Sequence, residues 1–427
     1  MLSKAVVAGA YQRKLEEIAR LGVELTVVAP PAWHEPRVGR IPLERRFTAG
    51  YSLITLPIVF NGHHHIHFYR GLQPLLQRLR PQVFHIDEES FNLATFLAMR
   101  AGLAVGARCC FYNWANIDRR YPPPFSWFER YNLRHATHVI AGNQEAAAII
   151  RRHGYRGPIS VIPQFGVDPD LFAPAEEPRQ RDTLIIGYVG RLVPEKGVAD
   201  LVDALVGLPS YVRLRLIGDG IERPRLVRQA VALGVGDRVE VLPALNSTAV
   251  PAALRELDVL VLPSRTQPNW KEQFGRVLIE AMSCGVPVIG SSCGEIPQVI
   301  GEAGLVFPEG DVSALRAALQ RLIDHPELRV ELARRGRERV LATFTQAAIA
   351  RQHVDVYQTM VTQRRGGRRG GEGERKGAET QRMRADLTTQ CGGKNVYGSV
   401  WYLEKLVYST TGGTLPSGRY MARQRHC

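Results

Sequence analysis

Four charged side chains sit where they could do chemistry. The run "TLIIGYVG" (183–190) has the apolar, β-branched character of a buried strand and ends at Gly190. Arg191 and Lys196 follow it before the helical pattern "VADLVDALVGL" begins. Two cations in the loop beyond a strand's carboxyl end are placed to meet the phosphates of a ligand, and Gly190 permits a close backbone approach. Loop cations of this kind are otherwise simply solvated. The second pair lies in "EQFGRVLIEAMSCGVPVIG" (272–290). Gly275 opens a helix whose first N–H groups are unpaired, a seat for an anion. Glu280 lies about one turn inside, and its two oxygens could accept both hydroxyls of a ribose. Glu272 precedes the helix and can reach beyond the phosphates to a second hydroxyl-rich group. An anion seat with acceptors on both sides suits a nucleotide diphosphate sugar. The alternative is a solvated Glu272 and a Glu280 held in a surface salt bridge.

These residues need strands and helices to position them, and the alternation that supplies both runs along most of the chain. Strand-like runs fall at 23–29, 52–58, 82–86, 107–112, 138–142 and 159–163. Amphipathic stretches such as "YQRKLEEIARLG", "GLQPLLQRLR" and "SFNLATFLAMRAG" lie between several of them. Strand–helix–strand repetition argues for an open parallel sheet covered by helices. Residues 166–182, with several prolines and charges, read as a linker. The alternation restarts at 183–190, 212–218, 238–242, 258–263 and 286–290. The expected fold is therefore α/β: two doubly wound Rossmann-like domains, 1–165 and 183–345, facing each other across a cleft. Residues from about 312 to 361 read as helical throughout, and 346–362 form a C-terminal helix able to cross back to the first domain. The remaining 363–427, beginning "RRGGRRGGEGERKG", read as a low-complexity, basic, disordered tail.

Bulk properties bound the function. A chain of 427 residues exceeds one ordinary core, and its apolar fraction of 45% suits a soluble globular protein. No apolar run approaches a membrane span and the start lacks a signal peptide's pattern. Of the net charge of +14, the 13 Lys/Arg and 5 Asp/Glu of residues 361–427 contribute +8, leaving +6 on the body. That balance suits phosphorylated ligands or peripheral contact with an anionic membrane, and no nucleic-acid-binding signature accompanies it. The six cysteines show no metal spacing and read as reduced thiols of a cytoplasmic protein.

The stretches "GYVGRLVPEKG", "LRLIGDG", "DVLVLPS" and "EQFGRVLIEAMSCGVPVIGSSCGEIPQVIGEAGLVFPEGD" together resemble the donor half of the family-4 (group 1) retaining glycosyltransferases of the GT-B fold. The family's Glu-x7-Glu motif matches Glu272 and Glu280. Residues 2–182 resemble its acceptor half more loosely, and "GVDPDLF" is similar to its interdomain segment. The resemblance implies that Arg191 and Lys196 hold the donor diphosphate and stabilise the charge on the leaving group. It implies that Glu272 contacts the sugar and Glu280 the ribose. Gly190, Phe274, Gly275, Arg276 and Val277 would line the donor, with Gly9 as the glycine of the facing loop. Transfer would retain anomeric configuration, with the leaving phosphate taking the acceptor's proton, and would need neither metal nor cofactor. The acceptor implied is a lipid-linked or cell-surface glycan precursor, and the setting is the cytoplasm or the inner face of the cell membrane.

The sequence departs from that pattern in places. Only "MLSKAVVAGAY" precedes the first helix, which points to a misplaced start codon or a clipped first strand. The loop "FYNWANIDRRYPPP" lacks the histidine many relatives carry there, leaving Asn113 and Asn116 as candidates to bond the sugar. In "VFHIDEES" (83–90), Asp87 is a candidate to orient the acceptor, while an acidic residue or Ser90 could cap the next helix. "NGHHHIHFYRG" packs four histidines into five residues, read as an exposed or acceptor-facing loop before a metal site. Asp168-Pro169-Asp170 reads as a turn. Two other readings stand beside the transferase: a sugar-nucleotide epimerase of the same fold, and a catalytically inactive nucleotide-sugar-binding scaffold.

Overall fold

A computed structural model describes residues 1–35, 39–176, 182–246 and 248–362. The tail read as disordered lies outside the described residues.

The second half is a six-stranded sheet, parallel throughout. Across the sheet the strands run Val239–Leu242, Val212–Ile217, Leu184–Val189, Val259–Leu262, Val288–Ser291 and Gly304–Phe307. In chain order this is 3-2-1-4-5-6, the doubly wound arrangement. The central strands are apolar because helices cover both faces, with Leu184–Val189 and Val259–Leu262 buried along nearly their whole length, while Arg213, Arg215 and Glu240 fall on the two strands towards one edge. The order reverses between Leu184–Val189 and Val259–Leu262. Loops leaving these two strands diverge to opposite faces and open a crevice at their carboxyl ends, where ligands bind in such sheets.

The first half repeats the plan around a very short first strand. Leu2 bridges Val28 on one side and Ile86 on the other, both parallel. The Leu2 amide donates to the His85 carbonyl at 2.8 Å, and the Val28 amide to the Met1 carbonyl at 2.8 Å. Three residues thus join the pair Ser52–Thr55 and Thr26–Ala29 to the series Val83–Ile86, Arg108–Asn113, His138–Ala141 and Ile159–Val161. The order is again 3-2-1-4-5-6, with a seventh strand at the edge.

Two hairpins interrupt this half, Ala32–Glu35 with Gly39–Pro42 and Ile58–Val59 with Phe68–Tyr69. The alternation pattern does not announce them, since their strands are too short to establish a period. The stretch read as continuous helix from 312 is in fact three helices, Val312–Asp324, Pro326–Thr343 and Gln346–Thr362, broken at His325 and at Phe344–Thr345. Pro326 explains the first break, because it cannot donate back to the preceding turn and biases His325 out of the helical region.

The last helix packs into the first half, where Ile349, Ala350, Val354, Tyr357 and Met360 share a core with Leu15, Ile18, Val27 and Tyr112. The chain therefore passes between halves twice, and the two passages run side by side. Val167 bridges Thr345, with its amide donating to the Phe344 carbonyl at 2.9 Å. A Cβ on Gly166 would lie 2.8 Å from three backbone atoms of that second passage. Gly166→Val is therefore expected to force the passages apart and cost about 1–3 kcal/mol, the range for overpacking, read as a Tm several degrees lower. An unchanged Tm would show that the crossing yields freely.

Candidate active site

The loop after Leu184–Val189 turns through a short 3-10 segment, Pro194–Lys196, and is pinned from both ends. The Tyr188 hydroxyl donates to the Arg191 carbonyl at 2.7 Å, and the Arg265 amide to the Glu195 carbonyl at 2.9 Å. Gly197 has φ +62°, and a Cβ there would stand 2.1 Å from the Pro263 carbonyl oxygen. Only glycine lets this loop close onto the end of the neighbouring strand. Closure brings Lys196 Nζ to 2.5 Å from Glu272 Oε2 and to 4.9 Å from the centre of the Trp270 ring. The Ser264 hydroxyl donates to the same Glu272 oxygen at 2.9 Å. Glu272 is only 8% exposed, so Lys196 compensates a carboxylate with little access to water. Arg191 differs: its side chain is 52% exposed and 3.4 Å from Glu195, leaving the guanidinium able to swing towards a ligand.

Gly275, with φ +77°, ends the second loop and starts the helix Arg276–Ser283 without any side-chain cap. Phe274 turns its ring inward against Phe344, centres 5.7 Å apart, and only its backbone remains beside the loop. Val277 rests on the core. Arg276 Nε lies 2.7 Å from Glu280 Oε1. Burial pushes the Glu280 carboxyl above its ordinary pKa, and Arg276 holds it part of the way down. Here the salt bridge weighed in the sequence is present, but over a carboxylate that is itself buried. Arg191, Lys196, Glu272, Gly275, Arg276 and Glu280 thus gather around the two loops that diverge at the switch point. Gly190 stands at the strand end, where a Cβ would meet the Tyr188 hydroxyl at 2.7 Å.

Residues from the first half close over these loops. Asn116 Nδ2 donates to the Glu272 carbonyl at 3.3 Å, Gln273 Nε2 to the Trp114 carbonyl at 3.2 Å, and Asn143 Nδ2 to the Gln273 carbonyl at 3.3 Å. Lys271 pairs with Glu145 at 2.5 Å, and the Gln144 amide donates to Glu295. Asn116 therefore supports Glu272 from across the cleft. Asn113 ends its strand beside these contacts, 2% exposed. Asp87 is occupied within the fold: it accepts from Ser3 Oγ at 2.6 Å and Gln164 Nε2 at 2.9 Å. Gly9 also differs from its sequence reading, because its amide donates to Glu44 Oε2 at 2.8 Å and is not offered to a ligand. Ser90 donates to Glu129 at 3.0 Å, and Asn92 is the residue at the helix start.

The histidine run is a structural loop. His67 is fully buried with Nε2 3.3 Å from Glu88 Oε1, and His65 meets Asn92 at 3.1 Å. Lys4 pairs with Glu88, and Lys4 and His67 together hold the Glu88 pKa down at about 2 against the effect of burial. Burial lowers the pKa of His65 and brings His64 to about 4, so both rings are neutral near pH 7. No His/Cys/Asp/Glu cluster able to hold a metal occurs among the described residues. The Asp170 amide donates to Asp168 Oδ1 at 3.1 Å, a turn. Cys109, Cys110, Cys284 and Cys293 are buried free thiols.

Sequence reasoning missed Ser264, Trp270, Gln273 and Glu295. Trp270 was the most visible, an aromatic residue two positions before Glu272.

Residues 172–339 match the family model described as glycosyl transferases group 1, and residues 8–165 match a glycosyl transferase 4-like domain. The chain is 30% identical over 342 residues to a 2-deoxystreptamine N-acetyl-D-glucosaminyltransferase of Streptomyces fradiae, covering 72% of this chain and 79% of that one. The chain belongs to the group 1 glycosyltransferases. A lipopolysaccharide core biosynthesis glycosyltransferase of Rhizobium meliloti is 31% identical over 240 residues, 54% of this chain and 65% of its own, just under two thirds of its length. Among solved structures, Anabaena HepE in complex with UDP superposes with a TM-score of 0.63 at 18% identity, covering 84% of this chain and 98% of that one. This group 1 glycosyltransferase thus has the GT-B fold, with the family models meeting near the linker.

Proposed function

We propose that the protein transfers a sugar from a nucleotide diphosphate sugar to a hydroxyl acceptor, with retention at the anomeric carbon and without a metal. The observation that carries this reading is the row Arg191, Lys196, Glu272, uncapped Gly275 and buried Glu280 along one switch point. It orders a diphosphate seat between two carboxylates. Glu280 takes the ribose hydroxyls, the helix start and the two cations take the diphosphate, and Glu272 faces the sugar. Arg191 and Lys196 stabilise the negative charge on the departing diphosphate, which is the largest catalytic contribution such a site can make. The leaving phosphate oxygen is placed to receive the acceptor's proton. The acceptor is a lipid-linked or cell-surface glycan precursor. A relative acting in lipopolysaccharide core biosynthesis supports this, as does a basic body suited to the inner membrane face. No described helix is long and apolar enough to cross a membrane.

The test is a thermal-shift panel on the full chain with UDP, GDP and ADP and their common sugar conjugates. A ligand that binds only the native state raises Tm by mass action. A shift with one base family, followed by sugar release or transfer that survives EDTA, supports the reading. Proton NMR of the product then reports the anomeric configuration. Absence of any shift from a cooperatively melting protein would overturn it, and activity lost to EDTA and restored by magnesium would overturn the metal-free step.

A further inference from the structure

Residues 114–124 connect the strand Arg108–Asn113 to the helix Phe125–His135 and supply three contacts across the cleft. Asn116 donates to the Glu272 carbonyl, the Trp114 carbonyl accepts from Gln273, and Arg119 Nη2 donates to the Asn269 carbonyl at 3.3 Å. Where this loop sits therefore bears directly on where Glu272 sits. Its two ends are anchored in the first half. The Trp114 amide donates to Glu89 at 3.0 Å, and the Tyr121 ring stacks on Phe91 with centres 3.9 Å apart. Midway between them Asp118 ties the loop down. Asp118 Oδ1 lies 2.9 Å from His153 Nε2, and Oδ2 accepts from Arg152 Nε at 2.8 Å.

His153 is held at both ring nitrogens. Its Nδ1 lies 3.1 Å from Glu129 Oε1, which also accepts from Ser90 Oγ at 3.0 Å. A carboxylate only accepts, so an imidazole flanked by two carboxylates bonds both only when each nitrogen carries a proton. The ring also follows the helix Gln144–Arg152 as its C-cap, at the negative end of the helix dipole, which favours the cation. The charged groups facing it are Asp118 from the loop and Glu129 from the helix Phe125–His135. Arg152 stands on the far oxygen of Asp118. Burial by itself lowers the His153 pKa, but its bonds and charge contacts with Asp118 and Glu129 prevail and raise it. The neutral ring has one N–H for two acceptors. Glu129 is 12% exposed and Asp118 44%, with Arg152 and water at hand, so the remaining proton stays on Nδ1 and Asp118 is the partner released.

We propose that His153, as the imidazolium, is a positioning residue for sugar transfer. It clamps the 114–124 loop against two helices of the first half and, through Asn116, holds Glu272 in register across the cleft. The consequence for transfer rests on the glycosyltransferase reading above, whereas the clamp itself needs no nucleotide. A raised folded-state pKa contributes stability that is fully present below the unfolded histidine value of about 6.5. That contribution is lost as pH rises through the folded value.

The experiment uses the full chain. Proton NMR of the histidine rings reads the His153 midpoint, assigned by its absence from His153→Gln. Sugar release is followed from whichever of UDP-glucose, UDP-N-acetylglucosamine and GDP-mannose is turned over, as a function of pH. The midpoint is expected above that of an ordinary histidine and lower in Asp118→Asn. The wild-type kcat is expected to fall about tenfold as pH rises through that midpoint, the effect of one charge-assisted hydrogen bond, with the Kd for UDP unchanged. His153→Gln is expected to stay at the lower kcat throughout. Asp118→Asn offers an oxygen to the charged ring and an N–H to the neutral one, so its kcat is expected to lose the fall. A fall of the same size and midpoint in His153→Gln, or a His153 midpoint at or below the ordinary value, would overturn the proposal. If no donor is turned over, the glycosyltransferase reading fails and takes the positioning role with it. The NMR midpoint then upholds or refutes the clamp alone.

Discussion

Lys196→Ala is expected to lower kcat by about 10²–10³-fold, the effect of removing one preorganised donor from a site of developing charge. Lys196 is held by Gly197, Pro263 and the Arg265–Glu195 bond, so its position does not depend on the ligand. A cation already in place incurs no reorganisation when the diphosphate leaves. The same variant has a structural cost, because it leaves the Glu272 carboxylate buried with the Ser264 hydroxyl in place of a countercharge. Breaking a buried pair from one side costs about 3–5 kcal/mol. The wet edge of this pair puts the expectation at the lower end. Tm and kcat therefore fall together in the single variant. Adding Glu272→Gln removes the stranded charge and is expected to recover most of the lost Tm without recovering kcat. Wild-type kcat in the double variant would show that Lys196 serves only as the partner of Glu272.

Glu280→Gln is expected to raise the Kd for the nucleotide by about 100-fold, equivalent to roughly one or two charge-assisted hydrogen bonds. Its effect on stability has the opposite sign. Burial raises the folded-state pKa of Glu280 above the unfolded value, with Arg276 opposing. A raised pKa contributes stability that is present below the unfolded pKa and lost as pH rises through the folded one. At pH 7, well above the unfolded value, the buried acid is therefore a burden to the fold, and Glu280→Gln is expected to melt above wild type. The difference should vanish by about pH 4, near the ordinary carboxyl value, where both side chains are neutral. Calorimetric titration with the nucleotide and melting curves at the two pH values check both halves. Unchanged affinity with a lower Tm at pH 7 would make Glu280 a structural salt-bridge residue. A stability burden kept at a binding site is what a functional carboxylate entails.

Much of this was legible before any coordinates. The alternation of buried strands and helices located both sheets, because a strand covered on two faces must be apolar along its length. The Arg191–Lys196 and Glu272–Glu280 spacings located the two charged loops at the switch point, because chemistry at a strand end uses charges in the loop beyond it. Other features were out of reach for reasons of distance or length. The first strand reads as too short, and local periodicity cannot reveal that Leu2 has partners at Val28 and Ile86. Asp87 and Glu89 are alike in sequence, two acids just past one strand. Only the fold decides that Ser3 and Gln164 occupy the first and that nothing occupies Oε2 of the second. Gly9 reads as a loop glycine until Glu44 is found on its amide. Sequence by itself determined the family, the two-sheet plan and the charged loops at the switch point, since each follows from residue type and short-range order. The contacts by which Asn116, Asn143 and Glu145 close onto the 271–273 loop were decided by tertiary structure alone. They join residues more than a hundred positions apart, and no local pattern along a chain encodes which of its distant loops will meet.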